Sequence, residues 1–555
     1  MKALKITGIL LIFVGLIAYF TSDYFIEKRL RSELSILIQK DSVSLYKYDF
    51  SKFNLSLVDG SIKLKKVTLY PTKAARDSLA NPNNNIRVLI EASIEEIKME
   101  GFQIKKFLET GHINITRFKI KKPKVTYLFD SRKKGTSSST ALDNVFSESF
   151  SQADLTYFLI DDASIHVHNI LKDKDIVVFD NFEFKLSHAH IDSTTIKRFS
   201  PFDYDNINFS AKNLTLDLDE DYTFSGGKLS FSAKRNTTSI SDLKVSPKYS
   251  RENFANKYKF QKTWLALALN DLTITNIDFE ELIQNGNFRI GKLELEKANL
   301  AIYKDKTKPE PPFKKKFLPV TALKKASLIL SIDTIDLKKS NVTINEKSAL
   351  TDELSELTIN NLDAQIYGFT NDSTQMSINK FMTVNVSSRL MKVAPVTLQA
   401  KFDLTSSDDR HYIHATVGKT DATIFNKMLN PLLLVKVKSG EILNMDLSYT
   451  ADDLSCEGTM DFEYENFKID IYNTEEQDKK QGLLSLAANT VIKTSNTKES
   501  SSYTQGVIKA DRVQNKFIFP YLWNAVQSGI VYTMAPIMSD IKKQEKASRK
   551  NIRKN

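Results

Sequence analysis

Residues 97–130, IKMEGFQIKKFLETGHINITRFKIKKPKVTYLFD, align without a gap to residues 272–305, LTITNIDFEELIQNGNFRIGKLELEKANLAIYKD, 175 positions further along the chain. Ile97 meets Leu272, Phe102 meets Ile277, Ile104 meets Phe279 and Gly111 meets Gly286. Ile113, Ile115, Phe118, Ile120, Val125 and Tyr127 meet Phe288, Ile290, Leu293, Leu295, Leu300 and Ile302. Few identities survive, but nearly every apolar position does. Side chains that alternate with period two line one face of a strand. A recurring unit of this kind points to stacked repeats, which act through a long surface rather than a compact catalytic pocket. Inside each copy, FQIKKFLETG (102–111) and IDFEELIQNG (277–286) read as one or two helical turns stopped by a C-cap glycine.

The pattern extends outward. YFLIDDASIHVH (157–168) and TIDLKKSNVTI (334–344) match the second half of the unit, FKIKKPKVTY (118–127). In SIKLKKVTLYP (61–71), Ile62 and Leu64 share a face, and Val67 and Leu69 share one after a phase slip at Lys65-Lys66. Such a slip suits a bulge or a tight turn. Further alternating segments occupy 207–218, 227–233, 357–366, 382–402 and 441–449, giving a mostly antiparallel β body with one apolar face. Residues 71–85, with Pro71, Pro82 and four asparagines, read as a loop. Residues 132–140, RKKGTSSST, read as a flexible linker, and 304–319, with four prolines and six lysines, as a linker or surface loop.

The chain has 555 residues, a net charge of +11, abundant Phe (34) and Tyr (20), and few Gly (17) or Pro (13), which favours strands and excludes collagen-like or low-complexity classes. Lysines interleaved with acids suit solvent-facing strand positions, so the charge does not call for nucleic acid. Leu4 to Phe20 is apolar apart from Lys5 and Thr7, close to the length of a membrane helix. Ala18-Tyr19-Phe20 lacks the small residues of a cleavage site, which favours an uncleaved anchor centred on Leu10, Leu11, Ile12, Phe13, Val14, Leu16 and Ile17. Tyr24 to Gln39 has helical spacing. Near the other end, residues 517–538 read as an amphipathic helix facing a membrane, a partner or the end of the β body. Leu522, Trp523, Val526 and Ile530 are its contact candidates. The tail 542–555 carries seven basic residues and one acid.

No phosphate loop, dinucleotide fingerprint or nucleophile elbow is present. His166 and His168 share a strand face, as do His188 and His190, but no carboxylate or thiol set completes a zinc site. His411 and His414 are spaced for a helix but lie in a strand-like stretch. The single cysteine, Cys456, excludes an intrachain disulfide and has no nearby histidine to activate it. Neither a metal, a cofactor nor a catalytic residue is assigned.

The combination of anchor, repeat and β body resembles the AsmA-like family of envelope proteins. Leu108, Gly111, Ile113, Ile115, Phe118, Ile120, Pro123 and Val125 carry the likeness: an apolar pair, alternating strands, then a proline before the next strand. VDGSIKLKKVTL (58–69), AIYKDKTKPEPPFKKKFLP (301–319) and NKFIFPYLWNAVQSGI (515–530) are similar to further family segments, while Ala298 stands in place of the proline in the second copy. The resemblance implies an inner-membrane, single-pass protein whose main body lies in the periplasm. It also implies a likeness to bridge-like lipid-transfer proteins, in which a curved sheet forms an apolar groove.

The expected fold is therefore mainly β: an N-terminal transmembrane helix, then an extended, curved, mostly antiparallel sheet or groove of degenerate repeats, with short helices and a C-terminal amphipathic helix. The expected segments are an anchor (1–26), a first β segment (27–130), a linker (131–150), a second β segment (151–303), a Pro/Lys-rich loop (304–320), a third β segment (321–514), the helix (515–540) and a basic tail (541–555). Groove candidates are Ile113, Ile115, Ile120, Val125, Phe288, Ile290, Leu295 and Leu300. The expected partners are membrane lipids, with phospholipid in the groove, and other envelope proteins. The expected role is lipid transport or outer-membrane assembly without catalysis. The competing reading is a structural or adhesive β-repeat protein with closed cores. Whether the apolar faces form a trough or a sealed interior separates the two.

Overall fold

The computed structural model of the chain describes residues 45–56, 59–133, 152–196, 198, 200–471 and 492–535. The anchor, the helical stretch after it, most of the linker and the basic tail lie outside the described residues. The chain divides after Leu243 into two compact units. This division falls inside the segment expected at 151–303.

Unit 1 contains β1 (Tyr46–Asp49), β2 (Lys52–Ser56), β3 (Ser61–Pro71), α1 (Lys73–Ala80), β4 (Val88–Glu100), α2 (Ile104–Thr110), β5 (His112–Lys121), β6 (Lys124–Phe129), β7 (Gln152–Asn169), β8 (Lys174–Ile191), β9 (Asn206–Asp217) and β10 (Tyr222–Ser232). The chain passes the division within β11 (Thr237–Pro247). Unit 2 continues with α3 (Arg251–Lys257), β12 (Trp264–Ile277), α4 (Phe279–Asn285), β13 (Phe288–Glu296), β14 (Asn299–Asp305), α5 (Pro319–Lys324), β15 (Leu330–Lys347) and β16 (Leu354–Thr370). It ends with α6 (Ser373–Ile378), β17 (Phe381–Leu390), β18 (Ala394–Asp403), β19 (His411–Val417), β20 (Thr420–Asp421), α7 (Asn426–Leu433), β21 (Val435–Ala451), β22 (Ser455–Ile471), β23 (Gly506–Asp511) and α8 (Ile518–Met534). Both units are mainly β. No described helix is long and apolar enough to cross a membrane.

The two sequence copies fold alike. β4 runs antiparallel to both β5 (Ile97 opposite Ile120) and β6 (Ala92 opposite Val125). β12 does the same with β13 (Leu272 opposite Leu295) and β14 (Leu267 opposite Leu300). The short helices end as their glycines require: Gly111 and Gly286 sit at φ 69° and 70°, a region that costs a Cβ-bearing residue energy.

The half-copies also gain a physical meaning. β5 and β6 pair in parallel with β7, so Phe118 faces Phe158, Ile120 faces Ile160 and Val125 faces Ile165. β13 and β14 pair in parallel with β15, so Leu293 faces Ile335, Leu295 faces Leu337 and Leu300 faces Val342. The sequence likeness between a copy and its half-copy is thus the register of one parallel ladder. Parallel neighbours need a crossover of a dozen or more residues. In unit 2 that crossover is 306–329, which contains the Pro/Lys-rich stretch and α5. The other strand pairings described are antiparallel, so the sheet is mostly antiparallel, as expected.

Polar doublets mark a line across the strands where the alternation slips. Lys66, Lys122, Asp162, Asn181 and Asn213 have φ between 47° and 57° in β3 to β9. Lys297, Lys339 and Asn361 repeat this in unit 2 at 48° to 53°. The ladders show the slips directly: Ile160 faces Phe184, but the next pair is Ala163 with Phe182, then Ile165 with Phe179. Each bulge bends its strand, and the extra residue returns the apolar set to the same face. The slip expected at Lys65-Lys66 is the first of this row.

One expectation fails. Residues 73–80, placed in a loop by their proline- and asparagine-rich surroundings, form α1. Thr72 caps it by accepting from Ala75 N–H at 3.3 Å, and Ala75 and Leu79 pack on Leu89 and Leu128. Tertiary burial of two apolar residues outweighs the breakers on either side.

The departure from proline at Ala298 is also explained. Ala298 has a buried N–H that Pro123 lacks, and Ser340 Oγ accepts from it at 3.0 Å. Where Pro123 stands in the first copy, the neighbouring strand carries Ala163 instead, and Ser164 N–H donates to Pro123 O at 2.9 Å. A hydroxyl appears only where a buried donor needs an acceptor.

A candidate apolar binding face

The strand registers of unit 1 place one row of apolar side chains on one face. Leu64 meets Ile97, Ile97 meets Ile120 and Ile120 meets Ile160. Ile160 meets Phe184, which meets Phe209, which meets Phe231. Aromatic rings meet on this face, stacked or edge to face. Phe118 and Phe158 lie 5.5 Å apart, Phe158 and Phe184 5.9 Å, and Phe209 and Phe231 4.9 Å, all within the range of favourable ring pairs. Beyond the bulges, Val125, Ile165, Phe179 and Phe224 continue the same face.

This face changes in exposure across the unit. Ile62, Leu64, Ile97 and Met99 are buried, with Phe50 packed on Leu64 and Ile97. From β5 to β10 the ring-bearing positions are only half-buried. The two described helices of unit 1 lie towards the other end: α1 contacts β4 and α2 contacts β5. The opposite face is polar. Lys63 pairs with Glu96 at 2.8 Å, Lys119 with Asp161 at 2.7 Å and Lys121 with Glu95 at 2.7 Å. These cross-strand ion pairs keep that face in water.

In unit 2 the corresponding face closes. Ile413, Leu447, Met460, Phe462 and Ile508 are buried beneath Tyr521 and Ala525 of α8, with Val320 and Leu323 of α5 and Leu318 just before it in the same core. Gly529 lets α8 approach: a Cβ there would lie 2.7 Å from Met460 Cε. Leu522, Val526 and Ile530 pack on this core, whereas Trp523 is partly exposed. Three of the four helix residues named as contact candidates therefore face the β body.

The eight groove candidates divide along the repeat. Ile113 and Ile115 are 2% and 6% exposed, on the strand that α2 packs against. Ile290 is buried, and Phe288 packs with it in a small cluster that includes Phe279 of α4. Ile120, Val125, Leu295 and Leu300 are half-buried and lie in the shared apolar row. Alternation alone could not reveal which half of the unit the short helix covers. The aromatic run Phe158–Phe184–Phe209–Phe231 escaped the sequence reading, because its members sit on strands outside the full copies. Their spacing from the polar doublets was the available signal.

The titratable groups form separate clusters. β7 and β8 do pair, but His166 and His168 share Asp175 (2.7 and 2.8 Å), while His190 sits at the other end with Asp154 at 2.7 Å. The His166 hydrogen bond holds the Asp175 carboxyl below its ordinary range, and Asp154 raises His190. No group of three or more potential metal ligands occurs among the described residues. His411 is buried against Phe402 at 5.2 Å, with Nδ1 2.7 Å from Asp409 O, and burial pushes its pKa down. Burial pushes the Cys456 thiol up, which suppresses thiolate. An open cleft of about 660 Å³ between α7, β16 and β21 is lined by Asn345, Glu353, Glu356, Lys427 and Lys436, with Glu356 paired to Lys427 at 3.1 Å.

Neither a family model nor a curated protein matches this chain.

Proposed function

We propose that the half-exposed apolar face of unit 1 binds lipid acyl chains, and that the protein is a non-enzymatic, membrane-anchored envelope protein aiding lipid transport or outer-membrane assembly. On this reading the bulged strands curve the face into a trough, as the AsmA-like resemblance implies. The anchor lies at 1–26 in the inner membrane, and the body is in the periplasm. The observation that carries the reading is the run Phe118, Phe158, Phe184, Phe209 and Phe231: aromatic, only half-buried, and linked by register pairs except at Phe158 and Phe184, whose rings touch across a diagonal. A continuous apolar surface of this kind suits an alkyl chain, each CH₂ of which gains about 0.8 kcal/mol on leaving water. The polar opposite face supports a single-sided role.

The test is mass spectrometry of lipid carried by the full chain after gentle extraction. The native protein is expected to retain phospholipid, and Phe158→Glu combined with Phe209→Glu to lose it while keeping its strand content. Absence of lipid, or equal lipid in the charged variant, overturns the reading. The sealed face of β17 to β23 favours a second role for that region, as a rigid support rather than a lipid surface.

A further inference from the structure

Unit 2 displays a second apolar feature, unlike the strand faces. Phe313, Phe517 and Phe519 are 71%, 57% and 77% exposed, and Phe317 and Trp523 are also open to solvent. Single exposed apolar residues are ordinary. These five come from two segments that the fold joins. Lys316 N–H donates to Gln514 O at 2.8 Å, and Lys516 Nζ meets Glu310 at 2.6 Å. The buried Arg512 guanidinium donates to Lys316 O and pairs with Asp453, which also takes Lys315. The loop bearing Phe313 and Phe317 is therefore fastened to the start of α8.

Lysines surround these rings. Lys314, Lys315 and Lys316 are consecutive, Lys316 Nζ lies 5.1 Å from the Phe517 ring centre, and Lys325 Nζ lies 4.3 Å from that of Phe317. Glu310 and Asp453, the acids bonded within the patch, already hold Lys516 and Lys315. Protein–protein interfaces favour aromatics but are depleted in lysine. Exposed aromatics rimmed by lysines match the headgroup layer of an anionic bilayer. There the rings enter the interface, and each nearby basic residue is drawn to surface charge.

We propose that the patch formed by Phe313, Phe317, Phe517, Phe519 and Trp523 with their flanking lysines docks onto the surface of an anionic phospholipid bilayer. The patch shares no residue with the apolar face of unit 1 and requires no helix to span the membrane. The chain has two tryptophans, so Trp264→Phe leaves Trp523 as the sole reporter.

The full chain, carried in phosphatidylcholine nanodiscs, is mixed with vesicles of equal parts phosphatidylcholine and phosphatidylglycerol. Trp523 emission is expected to shift to the blue and to be quenched by brominated acyl chains in those vesicles. Pure phosphatidylcholine vesicles should give neither change. Phe313→Ser with Phe519→Ser should lower vesicle partition at least about tenfold, and Lys314→Glu about fivefold or more. Circular dichroism should show the native fold in each variant. Unchanged Trp523 emission, equal binding to neutral vesicles, or partition insensitive to the phenylalanine substitutions overturns the proposal, including the case in which the patch binds a protein instead. Phe158→Glu should leave partition intact, so failure of docking and failure of lipid carriage are distinguishable.

Discussion

Unit 1 and the last third of unit 2 use the same strand grammar and end with opposite surfaces. In both, alternating apolar residues meet across ladder after ladder. In unit 1 the row through Phe158, Phe184 and Phe209 stays half-buried; in unit 2 the row through Ile413, Leu447 and Met460 disappears under α5 and α8. The difference lies in what the chain lays over the sheet. A face can therefore be built as a surface or as a core without changing its strands.

The largest test of this contrast compares one ring from each face. Phe462→Ala should destabilise unit 2 by about 3–5 kcal/mol, the range for emptying a sealed aromatic site, whereas Phe184→Ala should cost unit 1 roughly half as much or less. Denaturant unfolding, with amide exchange to separate the units, reads both. Equal losses would mean that the β5–β10 face is as closed as the other.

A second test compares the repeat copies. Ser340→Ala leaves the buried Ala298 N–H without its acceptor and should cost about 1–3 kcal/mol. Adding Ala298→Pro removes that donor, copying the Pro123 arrangement, and should recover most of the loss. A double variant no more stable than Ser340→Ala would break the equivalence of the two copies.

The third test uses pH. Burial holds His411 below its ordinary value of 6.5, so the unfolded chain takes up the proton first. Its effect is a loss of unit 2 stability as pH falls below 6.5 towards the folded pKa, opposed by Asp409 and Asp452 and reinforced by Arg512. His190 is raised by Asp154 and then Asp192, so its contribution is fully present below 6.5 and fades as pH rises through the folded pKa. Amide exchange near Ile413 and near Ala189 should therefore respond to pH in opposite directions. His411→Phe should flatten the first response and His190→Gln the second.

Much of this fold was legible in residues that the backbone itself constrains. Gly111 and Gly286 announced the helix ends, the Lys65-Lys66 slip announced a bulge or tight turn, and the half-copy at 157–168 announced alternating strand, which the structure makes one continuous β7. What escaped depends on packing between distant segments. KAARDSLA became a helix because Leu79 finds Leu89 and Leu128. Ile113 resembled Ile120 in the alternation, yet only the former is fully buried. Phe158 and Ile413 likewise look equivalent in sequence, because alternation reports that a face is apolar and not whether another element will cover it.

The parallel ladder beside each copy has a consequence for size. Past the crossover, successive strands are joined mainly by hairpin turns, so the chain can add or lose strands two at a time without disturbing the register before them. Each such pair changes the width of a sheet by about 10 Å, and the polar doublets tell every newcomer where to bend. A lineage could thus lengthen or shorten the molecule as a carpenter's rule is unfolded, segment by segment, while the markings on it stay aligned.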